Sequence, residues 1–201
     1  YVALTVGEDN YMNLGDNFVQ EGLANRITPF TTTINGKPAP GAKNFDTEKT
    51  YNNLMNRYKF GGLETRGLYI DETVMRMCYT HRRLFAQLAK QLIIEKKDAK
   101  ALKVLEKCQK VLPSYNIPND YMSGSLDLAE CYAMLGKKAK ARALFNDVWK
   151  NATQYMDWYL SLSSNNFSQS MSDCIRELTI MQQANEVANM IDPKLAKTTG
   201  K

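Results

Sequence analysis

One histidine and four cysteines are the side chains of this 201-residue chain best suited to catalysis or metal binding. His81 is the sole imidazole base. It falls on the apolar stripe of a long predicted helix, and no Ser or Cys at helical spacing has the setting of an activated nucleophile. A catalytic histidine must be matched by partners in the right geometry, so His81 reads as a packed, hydrogen-bonded core residue. Cys78, Cys108, Cys131 and Cys174 form no CxxC pair, and with one histidine available they argue against a zinc site. Each sits on an apolar helical stripe, where a thiol packs as a small hydrophobe; a disulfide is the alternative. The neighbouring carboxylates Glu8-Asp9 and Asp71-Glu72 diverge from one another and suit turn and cap roles better than paired acid/base chemistry. Phosphate-binding GxxxxGK(S/T), dinucleotide GxGxxG, GxSxG and HExxH patterns are missing. The sequence therefore assigns no catalytic, cofactor-binding or metal-binding residue.

The elements that would position these side chains are mainly helices. Phe85-x2-Leu88-Ala89-x2-Leu92 followed by Ala101-x3-Leu105 and Pro113 recurs forty residues later as Leu128-Ala129-x2-Tyr132, Gly136 and Ala141-x3-Phe145. This is the layout of tetratricopeptide-like helical hairpins, in which large and small residues interlock between two helices. The pattern predicts a mostly α fold, with a helical region over 71–192, repeats at about 80–113 and 120–153, and a capping helix at 167–191. Asp71 is the expected N-cap of the first long helix and Asp120 that of a helix over 121–135. Asn165-Asn166 is the expected break before the capping helix, whose packed face would carry Phe167, Met171, Cys174, Leu178, Met181 and Val187 or Ala188. Pro193 would end it, leaving a frayed tail at 193–201. A third full repeat is not predicted, because another shift of forty puts Ser168 and Gln169 where Leu and Ala belong.

Residues 1–70 read as a separate N-terminal α+β lobe. The expectations are an opening strand over 1–6, an amphipathic helix over 11–24 carrying Leu14, Phe18, Val19 and Leu23, and an edge strand over 27–34. An Asn35-Gly36 turn, an exposed loop over 38–44 and a helix over 47–58 complete the lobe.

Net charge is +5. The basic cluster between Arg82 and Lys110 has helical spacing and reads as a solvated face, with attraction to an anionic membrane surface or acidic partner as the alternative, and no aromatic-basic interleaving points to nucleic acid. No apolar run is long enough to span a bilayer. Helical repeats commonly present an inner wall to a protein or peptide, which selects Arg83, Lys90 and Glu130 on that wall, with Tyr115 and Tyr121 beside it, as partner-binding residues. A rival glycan-binding or catalytic accessory site would lie between the lobe and the repeats and use Asp9, Asn10, Arg26 and Tyr58.

Several blocks carry a family resemblance. Gly7-Glu8-Asp9-Asn10-Tyr11-Met12-Asn13-Leu14, Asn25-Arg26-Ile27-Thr28-Pro29, the run from Tyr51 to Gly62, Tyr69-Ile70-Asp71-Glu72 and Tyr155-Met156-Asp157-Trp158-Tyr159-Leu160 are among them. They resemble the soluble C-terminal region of a Bacteroidetes family of polytopic membrane proteins, described as glycosyltransferase-like and similar to protein O-mannosyltransferases. The resemblance implies a periplasmic domain, excised from a membrane-anchored parent whose sugar-transfer chemistry lies elsewhere. It implies a protein partner, or the parent's own membrane portion. No catalytic residue of that family maps onto this chain.

Overall fold

The computed structural model describes residues 1–35, 37–39, 43–120 and 122–199. The chain divides into two compact units, residues 1–59 and 60–201. The segment 60–70, expected with the first lobe, falls in the helical unit.

In the first unit, β1 (Val2–Ala3), β2 (Phe18–Gln20) and β3 (Ala24–Ile27) form an antiparallel sheet in the order β1-β3-β2. Val2 is opposite Asn25, and Val19 is opposite Arg26. β4 (Thr33–Ile34) pairs with β5 (Lys37–Pro38), and Gly36 of the expected Asn35-Gly36 turn lies outside the described residues, as does part of the 38–44 loop. The helix expected over 11–24 is absent. Met12 and Asn13 adopt φ of 49° and 60°, which a helix cannot accommodate, and Gly22 at φ 96° turns β2 into β3. The opening strand is shorter than expected, and the expected strand over 27–34 is interrupted by a loop. Buried threonines stabilise that loop: Thr28 Oγ1 donates to the Asn17 and Phe30 carbonyls, and Thr32 Oγ1 to those of Asp16 and Phe18. α1 (Thr47–Asn52) is capped by the Asp46 carboxylate and continues through a π turn over Asn53–Arg57, as the expected helix over 47–58 requires.

The second unit holds α2 (Glu72–Ile94), α3 (Asp98–Val111), α4 (Ser125–Met134), α5 (Lys138–Ser161), α6 (Ser164–Ile191) and α7 (Pro193–Thr199). Asp71 caps α2 by accepting the Val74 N–H. The α2–α3 and α4–α5 hairpins share one turn geometry at an offset of forty. Lys97 N–H donates to Leu92 O and Lys137 N–H to Tyr132 O, while Lys96 and Gly136 take φ of 60° and 70°. The interlocking residues follow the sequence pattern: Phe85, Leu88, Ala89, Leu92, Ala101, Leu105, Leu128, Ala129, Tyr132, Ala141 and Phe145 are all buried. Fully burying a Leu or Phe is worth roughly 1.5–3 kcal/mol, so these contacts dominate the unit's cohesion.

Three helix boundaries differ from expectation. α4 begins at Ser125, because Asp120 spends its carboxylate on a turn, accepting the Met122 N–H, and Gly124 supplies a left-handed N-cap. The α5–α6 break falls at Leu162-Ser163, and Asn165-Asn166 occupy the first turn of α6. Pro193 opens α7, where its missing N–H is no loss, and Asp192 Oδ1 accepts the Lys194 N–H.

Candidate interaction surface on the helical unit

α4 packs against α2 on one side and α6 on the other, so the three helices form one wall. A pocket of about 220 Å³ opens in it. Met122, Leu126 and Ile180 give it an apolar lining, and Arg83, Asp127, Arg176 and Gln183 supply polar groups. Arg83 is held by tertiary contacts: its Nη1 donates to the Met122 carbonyl at 2.9 Å, and its stem lies over Gly124. A Cβ on Gly124 would stand 2.6 Å from Arg83 Cγ, at a residue whose φ of 75° already favours glycine. Further along the wall, Lys90 Nζ donates to both carboxylate oxygens of Glu130 at 2.8 and 2.9 Å. That bond raises the Lys90 pKa. The wall therefore offers an apolar seat among fixed charges of both signs.

A second cleft, of about 350 Å³, lies between α3 and α5. Leu112, Pro113, Leu128 and Leu144 line it together with Arg82, Lys140 and Asp147. Arg82 was expected on a solvated basic face, yet it is 1% exposed. Nη1 donates to the Pro118 carbonyl and Ser125 Oγ at 2.8 and 2.9 Å, and Nη2 to the Leu112 and Ile117 carbonyls at 3.2 and 2.7 Å. Burial lowers its pKa. Arg82 fastens segment 112–118 and the start of α4 onto α2; its terminal donors are committed to that task.

Other sequence-selected residues have internal roles. Tyr115 donates its hydroxyl to the Glu64 carbonyl and carries the Arg66 guanidinium 4.1 Å from its ring centre. Tyr121 lies outside the described residues. His81 is half-buried, donates Nδ1–H to the Met77 carbonyl at 2.7 Å and meets Phe60 edge to face. Asp9 and Asn10 occupy an exposed single turn in the first unit. Tyr58 Oη accepts the Leu23 N–H, and Arg26 Nε bonds the Glu21 carboxylate at 2.6 Å. Among the described residues no hydrogen bond joins Asp9 or Asn10 to Arg26 or Tyr58. All four cysteines are free and buried; burial pushes the Cys108 and Cys131 thiols up to about 12.

Sequence reasoning missed the contribution of α6. Of the residues expected on its packed face, Cys174, Val187 and Ala188 are buried, joined by Ala184 and Ile191, whereas Met171 and Leu178 are each 46% exposed. Among the described residues no helix is long and apolar enough to cross a membrane, and no group of three or more His, Cys, Asp or Glu side chains could hold a metal ion. No protein-family model matches the chain, and no curated protein or solved structure matches it.

Proposed function

We propose that the helical unit is a non-catalytic docking module, a scaffolding domain whose α2–α4–α6 wall receives a segment of a protein partner. The reading rests on the pocket itself: Met122, Leu126 and Ile180 offer a seat for one apolar side chain, and the Asp127 carboxylate, with donors of Arg83 and Arg176 beyond those held by Met122 and Asp173, lies around it to orient the peptide. Following the family resemblance, the parent is a membrane glycosyltransferase-like protein with this domain on its periplasmic side. The partner is then an acceptor protein, a companion subunit or the parent's own membrane portion. The glycan-site reading has less support, because Arg26 and Tyr58 are engaged within their own unit.

Site-specific photocrosslinking in the source envelope tests the proposal. A photoreactive residue at Met122 or Ile180 is expected to capture a discrete segment, and one at the exposed Asn146 of α5 is not. Identical products from all three positions would remove the pocket from consideration.

A further inference from the structure

The packed stripe of α6 contains a residue that does not belong in an apolar interface. Glu177 lies between Cys174 and Ala184 on that stripe, is 0% exposed, and has no hydrogen-bond partner on either carboxylate oxygen. No ion pair reaches it among the described residues. The groups around it give no compensation. Asp120, from the segment leading into α4, faces it with a negative charge and is itself bonded to Tyr79 of α2 and the Met122 N–H. From α5 comes Tyr159, whose own pKa burial raises. On α6 the nearest charges, Asp173 and Arg176, pair with each other at 3.1 Å. Among the described residues, no cation acts on Glu177 as a counter-ion. An unpaired carboxylate withdrawn from water is strongly disfavoured in its ionised form. Burial first, and Asp120 second, push this acid up to about 7.

We propose that protonation of Glu177 couples the seating of α6 on α4 and α5 to pH: with the acid neutral the helix is docked, and on ionisation the segment around it lifts. The neighbouring residues Arg176, Ile180 and Gln183 form the α6 side of the inner-wall pocket, so the same event alters that pocket whatever it binds. The proposal depends on α6 docking alone and stands apart from the peptide-binding reading.

The sign follows from proton counting. A lifted Glu177 titrates near the ordinary 4.5 and the docked acid near 7, so the docked state holds more protons between these values. Docking is fullest below the lower value and weakens as pH rises toward the higher one. Between pH 5.5 and 7.5 the opening constant is expected to rise about twentyfold.

Hydrogen exchange of the full chain, with protection factors corrected for intrinsic rates, reads this directly. Amides around position 177 of wild-type α6 should open about twentyfold more at pH 7.5 than at pH 5.5, with α3 amides unchanged. Glu177→Gln should flatten the α6 response. Should Gln compromise folding, Glu177→Leu and direct ¹³C titration of the Glu177 carboxyl provide independent readouts, the latter expected to show a midpoint near 7. An α6 pH response that persists in Glu177→Gln or Glu177→Leu, or a carboxyl midpoint near 4.5, would overturn the coupling.

Discussion

Each unit buries a glutamate, and the two are treated in opposite ways. Glu21 in the first unit accepts from Tyr1 Oη, Arg26 Nε and Lys49 Nζ at 2.9, 2.6 and 2.8 Å. Burial alone would raise its pKa, but the bonds from Lys49, Arg26 and Tyr1 prevail and hold it down to about 2. Glu177 in the helical unit has no such donors and moves the other way, up to about 7. The first unit has short strands and a modest apolar interior, so a partnered charge ties its turn, sheet and helix together. The helical unit has an extensive Leu, Ala and Phe core and holds an unpartnered acid within its packed stripe. Arg82 lies between these extremes, buried without a carboxylate partner but bonded to three carbonyls and a hydroxyl.

The largest expected effect comes from Arg82. Arg82→Met strips donors from the Leu112, Ile117 and Pro118 carbonyls and should destabilise the helical unit by about 3–5 kcal/mol, as loss of one member of a buried charged network does. Both tryptophans, Trp149 and Trp158, lie in α5, so denaturant unfolding followed by tryptophan fluorescence reports on this unit. A loss below about 1 kcal/mol, the scale of an exposed ion pair, would mean that the carbonyls find water and that burial of charge is handled alike in both units.

Glu21→Gln follows, at about 2 kcal/mol; this is below the value its pKa shift alone would give, because Lys49 and Arg26 remain partly in water. Its folded pKa is depressed, so the contribution is complete above about 4.5 and disappears as pH falls toward 2. Amide exchange in β2 and β3 should therefore accelerate in acid for wild type and already be fast at neutral pH in the variant. The acid loss at Glu21 and the alkaline loss at Glu177 run in opposite directions, and an acid-labile α6 would erase the contrast between the units.

Local pattern explains why one unit was far more legible than the other. The helical hairpins are written in residues three and four apart, so Phe85, Leu88, Ala89 and Leu92 announce their face, and Asp71 announces its cap. In the first unit, Leu14, Phe18, Val19 and Leu23 meet the same helical spacing, but Gly22 acts as a turn and Glu21 draws its partners from Tyr1 to Lys49. Such long-range bonds leave no periodic trace. At the candidate surface, the offset of forty that sets Lys90 against Glu130 was visible in the sequence. The α6 contribution was not, because Ser168 and Gln169 break the repeat ahead of Ile180 and Gln183. Glu177 carried a readable signal, a lone carboxylate at helical spacing from Cys174, Met181 and Ala184, whereas nothing adjacent to Arg82 foretold its four acceptors.

Lys90 and Glu130 give the smallest expected change in stability and sharpen the contrast from the other side. Their side chains are 48% and 25% exposed, so solvent screens the pair despite its two short bonds. A double-mutant cycle with Lys90→Ala and Glu130→Ala should yield a coupling of about 0.5 kcal/mol, and the reversed pair Lys90→Glu with Glu130→Lys should regain most of it. A coupling above about 2 kcal/mol would place this pair with Glu21 as a structural tie. With a small coupling, the wall keeps its shape when the pair is removed. Loss of photocrosslinking in Lys90→Ala then reports contact between the partner and this charge, because the helices beneath it have not moved.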